Sequence, residues 1–359
     1  MTPSELLQAA LQAIEPTDPE WIKRAEEKQS TLTKPLGSLG RLEGIANRLC
    51  AIQRTFEPSI QNPTIFVFAG DHGVCQEDVN PYPQSVTAQM VANFLAGGAA
   101  INVLARVVDA ELCVVDVGVL GPPSQNPKLL TRRIGSGTKN ICCEEAMSNE
   151  EALAAISVGM ECAEKAIRCN STLLAAGEMG IGNTTVASAL CAALTGRNPT
   201  SVCGRGTGCD DVRLLRKVDA VGRALALHRP HVQTPLDLLA RLGGFEIAAI
   251  CGVCIQAARQ RCAVLVDGFI STAAAAVAVS MNFAIRDYLI AAHQSPEPGH
   301  QVFVDFLRLQ PLLHLQMCLG EGTGAALAIP LLRAAAEAFR CMATFESAGV
   351  SRTPTNASA

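Results

Sequence analysis

The chain has 359 residues, of which 49% are hydrophobic and 17% are charged, and its formal net charge is -4. This length and composition provide a buried core and exclude a mainly disordered protein. Lysine and arginine are scattered along the sequence and form no basic stripe, so nucleic acid is not an expected partner. We expect a small-molecule ligand instead.

The first residues of the chain predict an amphipathic helix. Leu6, Leu7, Ala10, Leu11 and Ile14 recur at helical spacing. This stretch has no basic start, no continuous apolar run and no small-residue cleavage site, so it does not resemble a signal peptide. We therefore expect a cytoplasmic protein.

The cysteines raise the question of disulfides or a metal site. They stand singly within apolar runs, as Cys113 and Cys191 do, in a large chain without an apparent export signal. We therefore expect most of them to be reduced and buried. The pairs at 142–143 and 251–254 lack a second pair at a spacing suited to zinc, so no metal site is predicted.

Short β-branched runs alternate with alanine-rich helical stretches, which is typical of a parallel sheet with helices on both faces. We predict an α/β fold with three layers, in which a mostly parallel, Rossmann-like sheet has about six strands. The predicted strands are 64–69, 112–117, 172–176, a short one near Val202, 263–267 and 288–292. The predicted helices between them are 85–107, 149–168, 184–195, 211–228 and 235–242.

The uncharged stretch 268–285 has nearly the length of a membrane span. It is mostly alanine, it contains Ser271, Thr272, Ser280 and Asn282, and it directly follows an aspartate. A buried core helix is therefore the expected structure, and no membrane span is predicted.

The two ends of the chain differ in character from its middle. We expect residues 1–60 and 306–350 to form a smaller helical domain beside an α/β domain of residues 61–305. Helices are predicted at 311–318 and 324–343, and residues 351–359 are typical of a frayed tail.

Polar, glycine-rich loops follow several predicted strands, at the carboxyl edge where open α/β sheets bind ligands. The stretch GEMGIGNTT (177–185) follows one strand, and GRGTG (204–208) follows the strand near Val202. Asn183 or Thr184 can cap a helix whose free N–H groups suit a phosphate, and Lys217 can add a positive charge. The alternatives are tight turns without a ligand and a solvated lysine, since neither loop has the spacing of a nucleotide-binding fingerprint.

Another carboxylate stands among glycines further along the chain, in LGEGTG (319–324). In a mostly apolar cleft, Glu321 would be desolvated and would have a raised pKa suited to a general base. The alternative is a turn residue that faces water.

Seven stretches together resemble the nicotinate-nucleotide–dimethylbenzimidazole phosphoribosyltransferase family, whose members act in cobalamin nucleotide-loop assembly. They are, in chain order, TKPLGSLG (33–40), AGDHGV (69–74), GEMGIGNTT (177–185), GRGTGCDD (204–211) with Lys217, LGGFE (242–246), SPEPGH (295–300) and GEGTGAALA (320–328). The resemblance implies transfer of the phosphoribosyl group of nicotinate mononucleotide to 5,6-dimethylbenzimidazole, which gives α-ribazole 5′-phosphate and nicotinate. It also implies a homodimer.

The resemblance also implies roles for two carboxylates. Glu321 is expected to accept the azole N–H proton while the other ring nitrogen attacks C1′. Glu178 is expected either to stabilise the cationic sugar or to hydrogen-bond the ribose or the azole. Nicotinate leaves from a ring that is already positive, so neither a metal ion nor a cofactor is expected.

The same resemblance implies the residues that bind the phosphate and ribose, and the chemistry of the azole indicates the residues of its pocket. The phosphate and ribose are expected on Gly180, Ile181, Gly182, Asn183, Thr184, Gly206, Thr207, Gly208, Lys217 and Ser295. For the azole, whose flat apolar ring suits flexible walls, the expected pocket residues are Gln89, Met90, Met179 and Leu319. The loop residues Asp71, His72, His293 and His300 are left out of the catalytic set.

Two other functions remain open. The acceptor could be adenine, another benzimidazole or a phenol, because the loops do not define the shape of its pocket. A nucleotide-binding sensor without turnover would keep the glycine loops but would have no use for Glu321.

Overall fold

The central element is a six-stranded sheet, as seen in a computed structural model that describes residues 2–351. Its strands are β1 (Thr64–Gly70), β2 (Glu111–Gly118), β3 (Leu129–Thr131), β4 (Leu173–Met179), β5 (Ala263–Val266) and β6 (Leu289–Ala291). The strand order is β3-β2-β1-β4-β5-β6, and every neighbouring pair is parallel. The predicted α/β fold with a parallel sheet is confirmed.

Strands β1 and β4 lie side by side in the middle of this sheet. Ile65 of β1 pairs with Leu112 on one side and with Ala175 on the other, and all of β1 is buried. Continuous apolar runs of this kind are typical of parallel strands that are covered on both faces. The chain order reverses between β1 and β4, and ligands bind outside the carboxyl ends of strands at such a point.

Helices cover the sheet and build the rest of the chain. Within the described residues they are α1 (Pro3–Gln12), α2 (Pro19–Gln29), α3 (Arg41–Gln53), α4 (Ser85–Ala96), α5 (Ala100–Val107), α6 (Asn149–Arg168), α7 (Asn183–Thr195), α8 (Pro199–Val202), α9 (Asp211–His228), α10 (Pro235–Leu242), α11 (Phe245–Arg259), α12 (Phe269–Met281), α13 (Pro298–Leu307) and α14 (Thr323–Cys341). Three 3₁₀ segments, Gly73–Glu77, Arg229–His231 and Phe283–Tyr288, complete them. The predicted helices 149–168, 211–228 and 235–242 are confirmed with the same bounds.

The predicted strand near Val202 is wrong, because this segment forms the short helix α8. Pro199 occupies the first helical position, and the side chain of Asn198 accepts a hydrogen bond from the Thr200 N–H at 3.0 Å. Proline and an asparagine cap both favour a helix start. The sixth strand is instead β3, a three-residue edge strand that pairs only with β2.

The predicted single helix 85–107 is divided into α4 and α5. Gly97, with a φ of 82°, ends α4 in the left-handed conformation. By length and composition this segment is the one stretch of residues 2–351 that is apolar enough to cross a membrane, and 33% of its apolar window is buried. The break leaves helices of 12 and 8 residues, which are shorter than the roughly 20 residues that a span requires.

The predicted helix 311–318 is also wrong. The backbone of this segment is irregular, and it runs beside the end of β6. The Leu312 and Leu313 N–H groups donate to the Ala292 carbonyl at 3.1 and 3.0 Å, and Leu313 in turn accepts from the Gln294 N–H at 2.8 Å. These tertiary hydrogen bonds replace the local ones that a helix would form.

The apolar stretch after β5 forms α12, and the prediction of a buried core helix is confirmed. Residues 269–279 are all buried. The Ser271 hydroxyl donates to the Ala176 carbonyl at 2.7 Å, and the Thr272 hydroxyl donates to the Gly268 carbonyl at 2.6 Å. The polar groups of this helix are therefore satisfied inside the protein.

The described chain divides into two compact units, one of residues 2–16 and 61–328 and the other of residues 17–60 and 329–351. These bounds differ from the predicted ones, since α1 and residues 306–328 belong to the unit with the sheet. Within that unit, α1 is held by hydrogen bonds from Asn282 Nδ2 to the Leu11 carbonyl and from the Tyr288 hydroxyl to the Glu15 carbonyl, both at 2.8 Å. Residues 352–359 of the predicted tail lie outside the described residues.

The second unit joins segments that are distant in sequence. Its ring contact between Trp21 and Phe56 has a centroid distance of 4.9 Å. The Thr33 N–H donates to the Ala343 carbonyl at 2.9 Å, so N-terminal and C-terminal segments pair within this unit.

The cysteines of the described chain, at positions 50–341, are all unpaired, and more than half are buried. The expectation that most of the thiols are buried is consistent with this. Burial raises the pKa of Cys191 and of Cys254 to about 12. Thiols of this kind pack as small apolar residues.

Candidate active site

A cleft opens at the carboxyl end of β4, at the predicted edge of the sheet, and its volume is about 110 Å³. Most of the predicted site residues line it. These are Glu178, Met179, Gly180, Ile181, Gly182, Asn183, Thr184, Gly206, Thr207, Ser295 and Leu319. The cleft is also lined by His293, which the sequence analysis left out of the catalytic set, and by residues that it did not name, among them Asn80, Tyr82, Phe269, Glu297 and Cys318.

The GIGN loop (residues 180–183) joins β4 to α7. Gly182, with a φ of 103°, is the N-cap residue of α7, and its carbonyl accepts from the Thr185 N–H at 3.0 Å. The predicted cap was Asn183 or Thr184, but both are helical and their side chains line the cleft. A helix start that points its first-turn N–H groups at a cleft is suited to an anion.

Glycine is required at position 180 by close packing. A Cβ there would lie 2.2 Å from the Gly70 carbonyl oxygen and 3.1 Å from His72 Nε2. The His72 ring below the loop lies 2.9 Å from Glu246 Oε1, and both side chains are buried. Burial works to lower the pKa of His72, but the negative charge of Glu246 leaves that pKa raised.

Lys217 of α9 connects the GIGN loop to the GRGTG loop (residues 204–208). Its side chain is fully buried, and Nζ donates to Thr184 Oγ1 at 2.9 Å and to the Gly204 carbonyl at 3.0 Å. The alternative of a solvated lysine is therefore excluded. A fixed positive charge therefore lies behind both glycine loops. Gly208, at the end of the GRGTG loop, does not line the cleft.

Ser295 lies on the loop after β6 and is held by His300. The Ser295 N–H donates to His300 Nδ1 at 2.9 Å. Burial lowers the pKa of His300 to about 4, so the imidazole stays neutral near neutral pH and can accept this bond. The hydrogen bond fixes the backbone of Ser295 at the wall of the cleft.

Glu178 is the sixth residue of β4 and its buried carboxyl group lies at the cleft. Burial, followed by the negative charges of Glu246, Asp267 and Glu321, raises its pKa well above the ordinary value of 4.5. A hydrogen bond from Asn183 Nδ2 to Glu178 Oε2 opposes this shift. Burial therefore favours the protonated form of the Glu178 carboxyl group.

Glu321 occupies the GEGTG loop (residues 320–324) in a strained conformation, with a φ of 62°. Its side chain is only 3% exposed, and its carboxylate accepts a hydrogen bond from the Ile101 N–H in the first turn of α5. The other oxygen, Oε2, has no hydrogen-bond partner in the described residues. Burial raises its pKa, the Ile101 bond opposes this shift, and Asp267 adds to it.

Glu321, the predicted proton acceptor, does not itself line the cleft, although its neighbours Leu319 and Gly320 do. Asp267, at the end of β5, holds the loop in place. Its Oδ2 accepts from the Gly322 N–H at 3.3 Å, and its Oδ1 accepts from the Ala325 N–H at 2.8 Å. Sequence reasoning gave Asp267 no role at the site.

The four residues predicted for the azole pocket are not brought together. Met179 and Leu319 line the cleft, whereas Gln89 is exposed and Met90 is half-buried on α4, and neither lines it. Tyr82, in the loop before α4, is the aromatic side chain of that segment that reaches the cleft.

His293 and Glu297 flank Ser295, and neither was predicted as a site residue, for a common reason. A single histidine or glutamate in a loop gives no local signal, and only the glycines packed against these side chains reveal their positions. A Cβ at Gly268 would lie 3.0 Å from His293 Nε2. Among residues 2–351, no group of three His, Cys, Asp or Glu side chains is arranged to hold a metal ion.

Comparison with known proteins gives one consistent result. A family model described as "Phosphoribosyltransferase" matches residues 14–350. The nicotinate-nucleotide–dimethylbenzimidazole phosphoribosyltransferase of Chloroflexus aggregans is 49% identical over 346 residues, which cover 96% of this chain and 98% of that protein. The protein of the same name from Geotalea uraniireducens is 48% identical over 345 residues, with 96% and 98% covered.

Solved structures agree with these relatives. A crystal structure of the nicotinate-nucleotide–dimethylbenzimidazole phosphoribosyltransferase of Thermus thermophilus has a TM-score of 0.89 and 48% identity. The match covers 94% of this chain and 100% of that one. The similarity therefore extends over nearly the whole chain and includes every loop of the cleft.

Proposed function

The chain belongs to the nicotinate-nucleotide–dimethylbenzimidazole phosphoribosyltransferase family and is a pentosyltransferase, and from this premise we propose that Glu321 is the general base of its reaction. The donor is nicotinate mononucleotide and the acceptor is 5,6-dimethylbenzimidazole. The products are α-ribazole 5′-phosphate and nicotinate.

The observation that most supports this role is the unpaired oxygen of Glu321. A buried carboxylate oxygen without a hydrogen-bond partner is costly, and an azole N–H that enters beside Leu319 would supply the missing donor. The raised pKa brings the base closer to neutral pH, where proton transfer is most effective. The Ile101 N–H still favours the ionised form that a base requires.

Glu178 has a different task in this proposal. Its pKa is raised well above 4.5 by burial and by three neighbouring carboxylates, so a protonated carboxyl group is favoured. A neutral carboxyl group cannot offset the positive charge of the sugar, but it can donate to a ribose hydroxyl or to the azole edge. Of the two roles expected for Glu178, hydrogen bonding is the better supported.

The 5′-phosphate is proposed to lie between the two glycine loops. The start of α7 offers backbone N–H groups, Lys217 offers a fixed charge, and Ser295 offers a hydroxyl at the wall of the cleft. Gly206 and Thr207 form the opposite wall. Two residues of the predicted phosphate and ribose set do not line the cleft. They are Gly208 and Lys217, whose side chain is buried behind the loops.

The chemistry requires one base and no acid. Nicotinate departs from a pyridinium ring as a neutral pyridine, so its nitrogen needs no proton and no metal ion to leave. The azole gains a bond to C1′ and must lose its N–H proton to end neutral, and Glu321 receives that proton. The proposal therefore includes neither a metal ion nor a cofactor.

The identity of the acceptor can be tested directly. The protein would be incubated with nicotinate mononucleotide and, separately, 5,6-dimethylbenzimidazole, benzimidazole, adenine and a phenol, and the products would be weighed by mass spectrometry. We expect the dimethylbenzimidazole product to form fastest, because Met179 and Leu319 offer an apolar wall. A faster reaction with adenine or a phenol would overturn this choice of acceptor while keeping the transferase.

A homodimer in the cytoplasm is also part of the proposal. Two apolar side chains on α5, Val103 and Val107, are 47% and 75% exposed, which suits a surface that a second copy covers. Light scattering on the purified protein would give twice the mass of the chain, and a monomer at micromolar concentration would contradict this part.

A further inference from the structure

The carboxylate of Glu297 lies against the backbone of the GRGTG loop. Its Oε1 accepts a hydrogen bond from the Gly206 N–H at 2.7 Å, and the residue is only 7% exposed. These partners are 91 positions apart in the sequence. No step of the proposed reaction uses Glu297.

The close approach depends on a second glycine. A Cβ at Gly204 would lie 2.3 Å from Glu297 Oε2 and 2.7 Å from its Cδ. Real Cβ atoms do not approach other atoms this closely, so any side chain at position 204 would displace the carboxylate. The glycine at 204 therefore makes room for Glu297.

Two buried charges hold the same loop at different backbone groups. Glu297 accepts from the Gly206 N–H, and Lys217 Nζ donates to the Gly204 carbonyl at 3.0 Å. The Glu297 N–H also donates to Ser295 Oγ at 3.3 Å. Glu297 thus contacts both the glycine loop and the serine that line the cleft.

We propose that Glu297 is a positioning residue, which fixes the GRGTG loop and Ser295 in the arrangement that receives the substrate phosphate. This inference rests on the proposed function, because it assumes a phosphate between the two glycine loops. Its negative charge does not attract the phosphate, so its contribution is to order the backbone before binding. Ordering in advance lowers the cost of binding.

The role predicts a specific kinetic pattern. A loop that binds the phosphate equally in the ground state and the transition state changes KM and leaves kcat nearly unchanged. Removal of the carboxylate in Glu297→Ala leaves the half-buried Gly206 N–H without its partner, and we expect the KM and Kd for nicotinate mononucleotide to rise about tenfold or more. The KM for the azole should not change.

The conservative variant separates the hydrogen bond from the charge. Glu297→Gln keeps an acceptor oxygen for the Gly206 N–H and lacks the negative charge, so it should bind the mononucleotide within about threefold of the wild type, or more tightly. If Glu297→Gln binds as weakly as Glu297→Ala, the charge itself is required and the positioning role is wrong.

A double-mutant cycle tests the contact with Gly204. Gly204→Ala should displace the carboxylate and weaken mononucleotide binding as Glu297→Ala does. In the Glu297→Ala background the three atoms nearest to the added methyl group are absent, so Gly204→Ala should cause little further loss. Additive losses would show that the two residues act independently and would contradict the proposal. Gly222→Ala on α9, where no atom lies within 4 Å of the added Cβ, is the matched control.

Binding is measured by calorimetry on the full-length protein and kinetics by nicotinate release, with thermal melts of every variant. Should Glu297→Ala fail to fold, Glu297→Gln and Gly204→Ala still give the required comparison. A fall in kcat with unchanged KM, or unaltered binding by Glu297→Ala, would overturn the inference. Absence of phosphoribosyl transfer by the wild type would instead contradict the proposed function. The calorimetric titrations would still show whether Glu297 affects mononucleotide binding.

Discussion

Gly177 of β4 and Gly322 of the GEGTG loop touch backbone to backbone: a Cβ on Gly177 would lie 2.0 Å from the Gly322 nitrogen. The neighbouring residues of the same strand and loop are equally close, since a Cβ on Gly320 would lie 2.4 Å from Glu178 Oε1. The strand end with Glu178 and the turn with Glu321 are therefore interlocked. The distance between the two carboxyl groups is set by glycines that leave no space for a side chain.

This contact predicts the effect of the smallest possible substitution. Gly177→Ala must push the GEGTG loop away, and we expect a loss of stability of about 1–3 kcal/mol together with a lower kcat. Gly222→Ala, in the open middle of α9, should instead be neutral or stabilising by up to about 1 kcal/mol. Urea unfolding and nicotinate release measure both effects. Full activity of Gly177→Ala would show that catalysis does not require this close contact between the GEGTG loop and β4.

Burial of Glu178 predicts a dependence of stability on pH. Its pKa is raised in the folded protein above the ordinary value of 4.5, so its contribution to stability is fully present below pH 4.5 and is lost as the pH rises through the folded value. Glu178→Gln has no proton to lose. We expect the two proteins to have similar melting temperatures near pH 4.5 and the variant to melt at the higher temperature at pH 8. A wild type that melts higher at pH 8 would show that Glu178 is stabilised as a carboxylate.

The bond from Lys217 to both glycine loops predicts a binding defect. Lys217→Met removes the fixed charge and leaves Thr184 and the Gly204 carbonyl without a donor, so mononucleotide affinity should fall at least tenfold. Lys139→Met is the control, because that side chain is 59% exposed and pairs with the surface residue Glu144. Calorimetric titration distinguishes them, and equal affinities would place the phosphate elsewhere.

The apolar wall of the cleft predicts a selective loss of azole binding. Met179→Ala should raise the KM for dimethylbenzimidazole about tenfold, by loss of contact area, and leave mononucleotide affinity unchanged. Leu227→Ala, on α9 and outside the cleft lining, should alter neither. The comparison requires only initial rates at varied azole concentration. A mononucleotide defect in Met179→Ala would assign this wall to the donor.

Helices and strands that begin or end at recognisable capping or turn residues were predictable from the sequence. Helix α6 starts at a capping box in which Ser148 and Glu151 exchange hydrogen bonds of 3.1 and 2.8 Å, and the sequence shows both residues. Residues 311–318 have helical composition, but their backbone pairs with the end of β6, which no local pattern reveals. The short strand β3 was missed for the same reason.

The residues of the candidate site also divide into those with a local sequence signal and those without one. The glycine loops and Glu178 were predictable because a strand, glycines and a helix start follow one another in sequence. Asp267 and Glu297 were not, since each acts through backbone N–H groups that lie 55 and 91 positions away. Residues on α4 were predicted for the azole pocket on their chemical type, but the structure places Gln89 at the surface, outside the lining of the cleft.

The most direct test of the account is the single substitution Glu321→Gln, measured for both mononucleotide affinity and rate of nicotinate release with dimethylbenzimidazole. Gln cannot accept the azole proton, so kcat should fall by about 10²–10⁴ while the Kd for the mononucleotide stays within about twofold. The wild-type rate should fall as the pH drops through the raised pKa of Glu321, because the protonated group is no base. Unchanged nicotinate release by a variant that still binds the mononucleotide would show that Glu321 is not the general base.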